Sequence, residues 1–348
     1  MPTIIPGHPI GRNALSVAPA RYRVQMRAVV VSTPGGVEAL EIVDRPVPEP
    51  GPGEVLIKVT AAGVNRADLL QRRGFYDPPP GATDILGLEC SGEIEAVGEG
   101  VTSIQPGASV CALLTGGGYA EYVTVPVEQV ATIPKGISLH DSAALMEVVA
   151  TVWSNVFMMG KLQAGETVLL HGGGSGIGTM GIQIAKAFGA SVVTTVGSPE
   201  KAQACRDLGA DVVIDYRQDD FAEVMRTNNL RADVILDIIG AKYLQQNIAV
   251  LNTAGRLVII GLQGGVKGEL DIGALLAKRA AVMATSLRAR PVAEKAAIVS
   301  AMVAQVWPLL ADGGVRPVIH ASMPLEEVAA AHQIVEDSSH VGKVLLTM

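Results

Sequence analysis

The chain has 348 residues, long enough for two domains of about 150 residues rather than one oversized core. Apolar residues reach 49% and charged ones only 18%, which excludes global disorder, while aromatics at 3% leave Ala, Val, Leu and Ile to build the interior. A formal charge of -7, with no basic cluster beyond pairs such as Arg72 and Arg73, argues against a nucleic-acid footprint, which needs concentrated lysine and arginine.

Residues 1–25 contain Pro2, Pro6, Pro9 and Pro19, lack the apolar stretch of a signal peptide and read as a loose arm. Arginines without an acid before Glu38 leave a transit peptide as the weaker alternative. From Met26 to Pro134, short β-branched runs at 27–32, 54–60, 92–97 and 119–125 are separated by turn residues, which predicts a mainly antiparallel sheet. Ser138 and Asp141 give a capping-box-like start to a long helix running to about Met159. No run is expected to span a bilayer, because residues 144–159 are interrupted by Glu147 and Ser154-Asn155.

After Gly165, strands at 167–171, 191–196, 212–215, 232–237, 256–260 and 281–285 alternate with helical patterns at 179–188, 199–208, 221–226 and 242–251. That alternation predicts an α/β class with a doubly wound, six-stranded parallel sheet of the Rossmann type. Helices at 293–310 and 325–336 and a strand at 343–347 follow, too little for a separate core. The expected organisation is therefore a catalytic domain made of 26–150 and 288–348, with a cofactor domain at 151–287 inserted into it.

The strongest chemical signal is Val168-Leu-Leu-His-Gly-Gly-Gly-Ser-Gly-Ile-Gly-Thr-Met-Gly181, which leaves an apolar strand and enters a helix. Glycines in that context allow a sharp turn, close approach to a pyrophosphate and tight helix packing, while helix N-terminal N–H groups receive the negative charge. Two registers fit. The literal pattern is Gly176, Gly178 and Gly181; the requirement for a glycine directly after the strand favours Gly173 to Gly178, with Ser175 in the middle. At the next strand tip, Val196-Gly-Ser-Pro-Glu-Lys201 places Ser198 as an N-cap and Glu200 inside the helix. An uncharged tip with Lys201 one turn on reads as a site for a 2'-phosphate, hence NADPH; the plainer alternative is that Lys201 is a solvated helix charge.

Three distant cysteines, Cys90, Cys111 and Cys205, point to inert thiols in a reducing, cytoplasmic setting. The six histidines show no HExxH and no pairing with cysteine at ligand spacing, and no GxSxG elbow supplies a hydrolytic nucleophile.

Ala62-Gly-Val-Asn-Arg-Ala-Asp-Leu-Leu-Gln-Arg-Arg-Gly-Phe-Tyr-Asp-Pro-Pro-Pro-Gly81, Ile85-Leu-Gly-Leu-Glu-Cys-Ser-Gly92 and the loop from His171 to Gly178 closely resemble the zinc-independent quinone oxidoreductases of the medium-chain dehydrogenase/reductase superfamily, and among them the p53-inducible subgroup. The resemblance covers nearly all of the chain from Met26 and implies that the β-rich part is a GroES-like catalytic domain. Asn65 stands where zinc-containing alcohol dehydrogenases have a metal-binding Cys, and Gly87-Leu88-Glu89 replaces their Gly-His-Glu. Without a Lewis acid, alcohol oxidation is disfavoured and an electron-poor acceptor is expected.

The same resemblance implies roles residue by residue. Asn65 and Tyr76 match the substrate pocket, the first near the nicotinamide ribose or a substrate oxygen, the second lining a flat ring. Thr151 matches a residue near the carboxamide. Gly173, Ser175, Gly176, Ile177 and Gly178 cradle the pyrophosphate. Ser198, Lys201 and Tyr216 surround the 2'-phosphate, Gly261 and Leu287 approach the nicotinamide, and Lys343 lies near the phosphates. Plainer roles compete for three of them: Asn65 as a turn-capping amide, Tyr76 as loop packing and Thr151 as a helix back-bonder. The reading is an NADPH-dependent quinone reductase without metal. An enone or enoyl-thioester reductase with Tyr76 as proton donor is the rival enzyme, and an NADPH-binding sensor or nucleic-acid binder the rival of another class. No general acid is evident, which leaves protonation to solvent. Expected partners are a small quinone or enone acceptor and further copies of the chain in a homodimer or homotetramer, with no nucleic acid and no membrane.

Overall fold

A computed structural model describes residues 25–348; of the expected arm only Gln25 lies within them. An antiparallel ribbon of β1 (Gln25–Val31) and β2 (Leu40–Pro46) leads into β3 (Glu54–Val64) and helix α1 (Arg66–Arg72). Strands β4 (Glu89–Val97), β5 (Ser109–Leu113), β6 (Tyr122–Pro126) and β7 (Val130–Thr132) complete the first half, all paired antiparallel.

The expected long helix is three pieces. A 3-10 turn over Asp141–Ala144 comes first, with His140 rather than Ser138 at its N-cap, although the Ser138 hydroxyl accepts from the Asp141 N–H at 3.0 Å. Helix α2 (Met146–Val152) follows, and then a π-helical stretch over Trp153–Met159. There the Gly160 N–H reaches back five residues to the Asn155 carbonyl, and the Asn155 amide donates to the Thr151 carbonyl at 2.8 Å. Polar side chains thus take over a carbonyl that a wider helical turn would leave unpaired.

Strands β8 (Thr167–His171), β9 (Ser191–Val196), β10 (Val212–Asp215), β11 (Ala232–Asp237), β12 (Leu251–Ile259) and β13 (Ala281–Ala284) alternate with α3 (Gly176–Ala187), α4 (Pro199–Asp207), α5 (Phe221–Thr227), α6 (Leu244–Val250) and α7 (Ile272–Lys278). They form a six-stranded, wholly parallel sheet in the order β10-β9-β8-β11-β12-β13. Both faces are apolar: Val168, Leu170, Val192, Val234 and Leu236 belong to one buried cluster, and Leu169, Val193, Ile235 and Leu257 to the other. Full coverage by helices explains the near-continuous aliphatic runs in these strands.

The chain then returns. Helix α8 (Val292–Ala311) packs against α2, and β14 (Ile319–Pro324), α9 (Val328–Glu336) and β15 (Lys343–Thr347) follow. β15 pairs antiparallel with β3 and parallel with β14, so the tail closes the seven-stranded sheet of the first half. Two helical stretches, Asp141–Met159 and Val292–Ala311, are long and apolar enough to cross a bilayer, contrary to the expectation of none. The first is 78% buried inside the protein, and the second contributes Ile298, Val299, Met302, Val306 and Leu310 to the same core cluster.

Candidate functional site

The order of the parallel sheet reverses between β8 and β11, and the glycine loop leaves β8 at this switch point, where open α/β sheets bind ligands. Ser175 caps α3: its hydroxyl accepts from the Gly178 N–H at 3.0 Å and donates to the Gly172 carbonyl at 2.7 Å. The N–H groups of Gly176 and Ile177 open the helix without an intrahelical acceptor and are available to an anion. A methyl on Gly178 would overlap the Gly172 carbonyl oxygen and lie 2.5 Å from the Gly173 Cα, whereas one on Gly181 would meet only side-chain methyls of Leu170 and Val152, at 3.1 and 3.5 Å. The tight backbone crossing is therefore at Gly178, as the Gly173 to Gly178 register requires. A methyl on Gly173 would overlap the Thr194 hydroxyl, so this turn too has room only for glycine.

At the tip of β9, Ser198 caps α4 by accepting from the Lys201 N–H, Pro199 is the first helical residue, and Glu200 lies in the first turn. Gly197 leaves room for the Tyr216 phenol, which a side chain there would overlap. The fold adds two cations that no local pattern showed. Arg66 from α1 and Arg217 both depress the Lys201 pKa, behind the larger effect of burial. Lys201 Nζ rests on the Ser338 carbonyl, and Arg66 donates to the Ser338 hydroxyl at 2.8 Å.

Between the two sheets lies a second, buried network. Asn65 caps α1, with its N–H donating to Asp68 Oδ2 at 2.8 Å, but its amide turns elsewhere. Nδ2 donates to the Gly63 carbonyl and to Glu89 Oε1, at 3.1 and 3.0 Å, and Oδ1 accepts from Lys343 Nζ at 2.7 Å. One Oδ1 lone pair is what the amide retains for a ligand. Lys343 also forms a 2.6 Å ion pair with Glu89, the lysine 4% and the glutamate 0% exposed. Its stem lies against Gly176 of the loop, while its ammonium is held by Glu89, Asn65 and the Val64 carbonyl, so the lysine expected near the phosphates stands beside the loop within a buried pairing network. The tail is tied to the loop itself, because the Gly342 N–H donates to the Gly174 carbonyl at 2.9 Å.

Tyr76 is half-buried, and the Arg288 guanidinium sits 5.4 Å from its ring centroid. Arg288 donates to the carbonyls of Thr115 and Tyr76, at 2.8 and 3.2 Å, and its buried Nη2 has no partner. One face of the expected ring-binding wall is thus already covered by a cation, while the neighbouring Phe75 is 77% exposed. Thr151 is buried in α2 beside α3. Gly261 allows the chain to pass the Ile238 carbonyl, which a methyl would approach to 2.7 Å, and Leu287 is buried in the core next to Arg288. Sequence reasoning missed Glu89, Glu147, Arg288, Lys295, Arg66 and Arg217 as site residues, because only the fold brings them beside the loop and the buried network. Burial pushes the thiols of Cys90 and Cys111 up strongly and that of Cys205 up to about 12, so all three are inert. Among the described residues, no three His, Cys, Asp or Glu side chains gather at ligand distance.

Residues 51–135 match the family described as alcohol dehydrogenase GroES-like domain, and residues 176–305 that described as zinc-binding dehydrogenase. A quinone oxidoreductase of Rattus norvegicus is 32% identical over 331 residues, covering 93% of this chain and 98% of its own. The structure of Escherichia coli quinone oxidoreductase complexed with NADPH superposes with a TM-score of 0.82 at 27% identity, covering 93% of this chain and 100% of that one. CurK enoyl reductase superposes at 0.80 with 29% identity, again over 93% and 100%.

Proposed function

Because the chain belongs to the quinone oxidoreductase family of the medium-chain dehydrogenase/reductase superfamily, and is an oxidoreductase built for a nicotinamide cofactor, we propose that it is an NADPH-dependent quinone reductase working without a metal. The single observation that carries the NADPH reading is the tip of β9. Lys201 and Arg66 meet there on Ser338, and Arg217 is close enough to join Arg66 in lowering the pKa of the lysine, behind burial. Such a cluster repels itself until a dianion enters, which favours a 2'-phosphate over a bare ribose. Gly173, Gly178 and Gly197 have no room for a side chain because each packs against the protein's own atoms, which keeps the turns tight and leaves the Gly176 and Ile177 N–H groups open to a phosphate.

When bound, the cofactor supplies the hydride or single electrons, and the protein supplies position and exclusion of water. Gly176 and Ile177 take the pyrophosphate, Thr151, Gly261 and Leu287 bound the nicotinamide, and Asn65 accepts one hydrogen bond from the ribose or the acceptor. Tyr76 lines a small, flat acceptor. The donor set supports zinc independence, because Asn65 and Leu88 occupy positions where a catalytic zinc would need thiolate or imidazole. We also infer the partition of the chain into 26–150 with 288–348 around 151–287, a cytoplasmic setting for its free buried cysteines, and assembly into a homodimer or homotetramer. The outer strand β13, with exposed Leu262, Val266, Ile272 and Leu276 nearby, supports that assembly.

The likeness to an enoyl reductase favours a second reading, reduction of an enone or enoyl thioester. Steady-state oxidation of NADPH and NADH against quinones, enones and enoyl thioesters separates the two. The quinone reading expects turnover with NADPH and quinones; binding of NADPH without oxidation by any acceptor overturns both.

A further inference from the structure

Each hydride accepted by a quinone or an enone leaves an oxyanion that must gain a proton, and Glu147 is placed to provide it. It is the second residue of α2, and its N–H donates to Glu89 Oε2 at 2.9 Å, on the same carboxylate that holds Asn65 and Lys343. The next residue, Val148, lies against Gly176 of the cofactor loop, where a methyl on that glycine would come within 3.3 Å of it. Glu147 thus stands between the Asn65 network and the nucleotide loop. The Tyr76 phenol and the Arg288 guanidinium both feel its charge.

The Glu147 carboxyl has no hydrogen-bond or ion-pair partner among the described residues, although the side chain is only part-buried. The charged groups around it are Glu89 on β4, Asp68 on α1, Lys343 on β15 and Lys295 on α8. Both lysines are held by other atoms, Lys343 by Glu89 and Asn65, Lys295 by the Thr115 hydroxyl at 2.5 Å. Burial, then repulsion from Glu89, pushes the carboxyl up to about 8, so it carries its proton at neutral pH. An unpartnered acid in this state, beside a cofactor loop, has the properties of a general acid rather than of a structural charge.

We propose that Glu147 is the catalytic acid of the reduction, an assignment that rests on the quinone or enone reading above. The hydride bond to the acceptor forms with two electrons from the reduced cofactor. The Glu147 O–H bond then breaks as an O–H or C–H bond forms on the reduced acceptor, and the carboxylate regains a proton from water entering the cleft. The sum is one acceptor, one NADPH and one proton consumed for each reduced acceptor and NADP+ formed.

The test uses Glu147→Gln and Glu147→Asp in the full chain. Infrared difference spectra of the cofactor-free protein, wild type against Glu147→Gln, are expected to show a protonated carboxyl at pH 7 that is lost on raising the pH through about 8. With acceptor, Glu147→Gln is expected to lower kcat by roughly 100-fold or more. It is also expected to abolish the alkaline fall in kcat while leaving NADPH affinity unchanged, and Glu147→Asp is expected to restore the alkaline fall. A Glu147→Gln enzyme with undiminished kcat and an unchanged pH profile, or the absence of the protonated band, overturns the assignment to Glu147 alone. A wild-type protein that reduces no quinone, enone or enoyl thioester overturns the functional reading, and the assignment with it. If Glu147→Gln fails to fold, Glu147→Asp carries the test: a profile identical to wild type in both midpoint and rate counts against the proposal, because a shortened acid moves both.

Discussion

The two glycine registers make opposite predictions, and the structure assigns a size to the difference. In Gly178→Ala the new methyl would lie 2.5 Å from the Gly173 Cα and 2.6 Å from its carbonyl carbon. Carbon atoms pack at about 3.5 Å or more, so loop and helix must separate by about 1 Å. Both neighbours are backbone and neither can rotate away, which puts the cost near ~3 kcal/mol, the upper part of the range for overpacking. In Gly181→Ala the nearest atom is the Leu170 Cδ1 at 3.1 Å, a methyl that can turn. The small contact cost is offset by about 1 kcal/mol of helix propensity, and the net is close to zero. Differential scanning fluorimetry should show Gly178→Ala melting about 5 °C or more below wild type, with Gly181→Ala unchanged. With NADPH at a hundredfold excess over its Kd, Gly181→Ala should gain the ~2.7 kcal/mol of linkage stabilisation of wild type, and Gly178→Ala little of it. A Gly181→Ala protein that is the less stable of the two, or a Gly178→Ala protein with an intact NADPH shift, refutes the assignment of the crossing to Gly178.

Other expectations follow from the same geometry. Replacing Lys201 and Arg217 together by Ala removes charge-assisted contacts of ~1.5–3 kcal/mol each, and should weaken NADPH by at least 10-fold in calorimetric titration while NADH binding stays as it was. Lys343→Met strands the buried Glu89 carboxylate and should cost roughly 3–5 kcal/mol in urea unfolding, part of it recovered by adding Glu89→Gln. His171 is held between the Thr195 hydroxyl and the Asn247 carbonyl oxygen, and burial pushes it down to about 4. An unfolded histidine titrates near ~6.5, so between those values the unfolded chain holds the extra proton and stability falls as the pH is lowered. The share of His171 should reach roughly 3 kcal/mol by pH ~4, and His171→Gln should remove that share while leaving those of His332 and His340, which burial pushes down to about 3 and about 4; a pH dependence unchanged by the substitution would count against a neutral, buried imidazole.

The parallel sheet was legible because its strands are apolar on both faces and end in glycine or capping signals. All six predicted strands are present, β8, β9, β10 and β11 with their predicted ends and β12 beginning five residues early, across an irregular pairing at Ala232. Helix α7 escaped prediction for the converse reason: it has no buried residue, and Ile272 and Leu276 face outward, so it carries no amphipathic signature. β2 likewise buries nothing fully and ends on Pro46. In the site, glycines and caps act through near neighbours and could be read locally. Glu147 could not. It appeared only as a break in an apolar run, which in retrospect was its one signal, because the carboxylate that anchors it lies 58 residues away. Lys343 was recognised as a site residue, but its pairing with Glu89 and Asn65 could not be read, since the Asn65 contact spans 278 residues.

The join between tail and loop has a consequence for biosynthesis. Gly342 bonds the nucleotide loop at Gly174, and Lys343 pairs with Glu89 and Asn65, while β15 completes the sheet beside β3. Every partner of these residues leaves the ribosome before they do. The parallel sheet can condense during translation, as domains generally do, but the catalytic cleft stays unassembled until 342–347 emerge. A chain cut or stopped just before Gly342 should therefore keep a folded nucleotide half and reduce nothing.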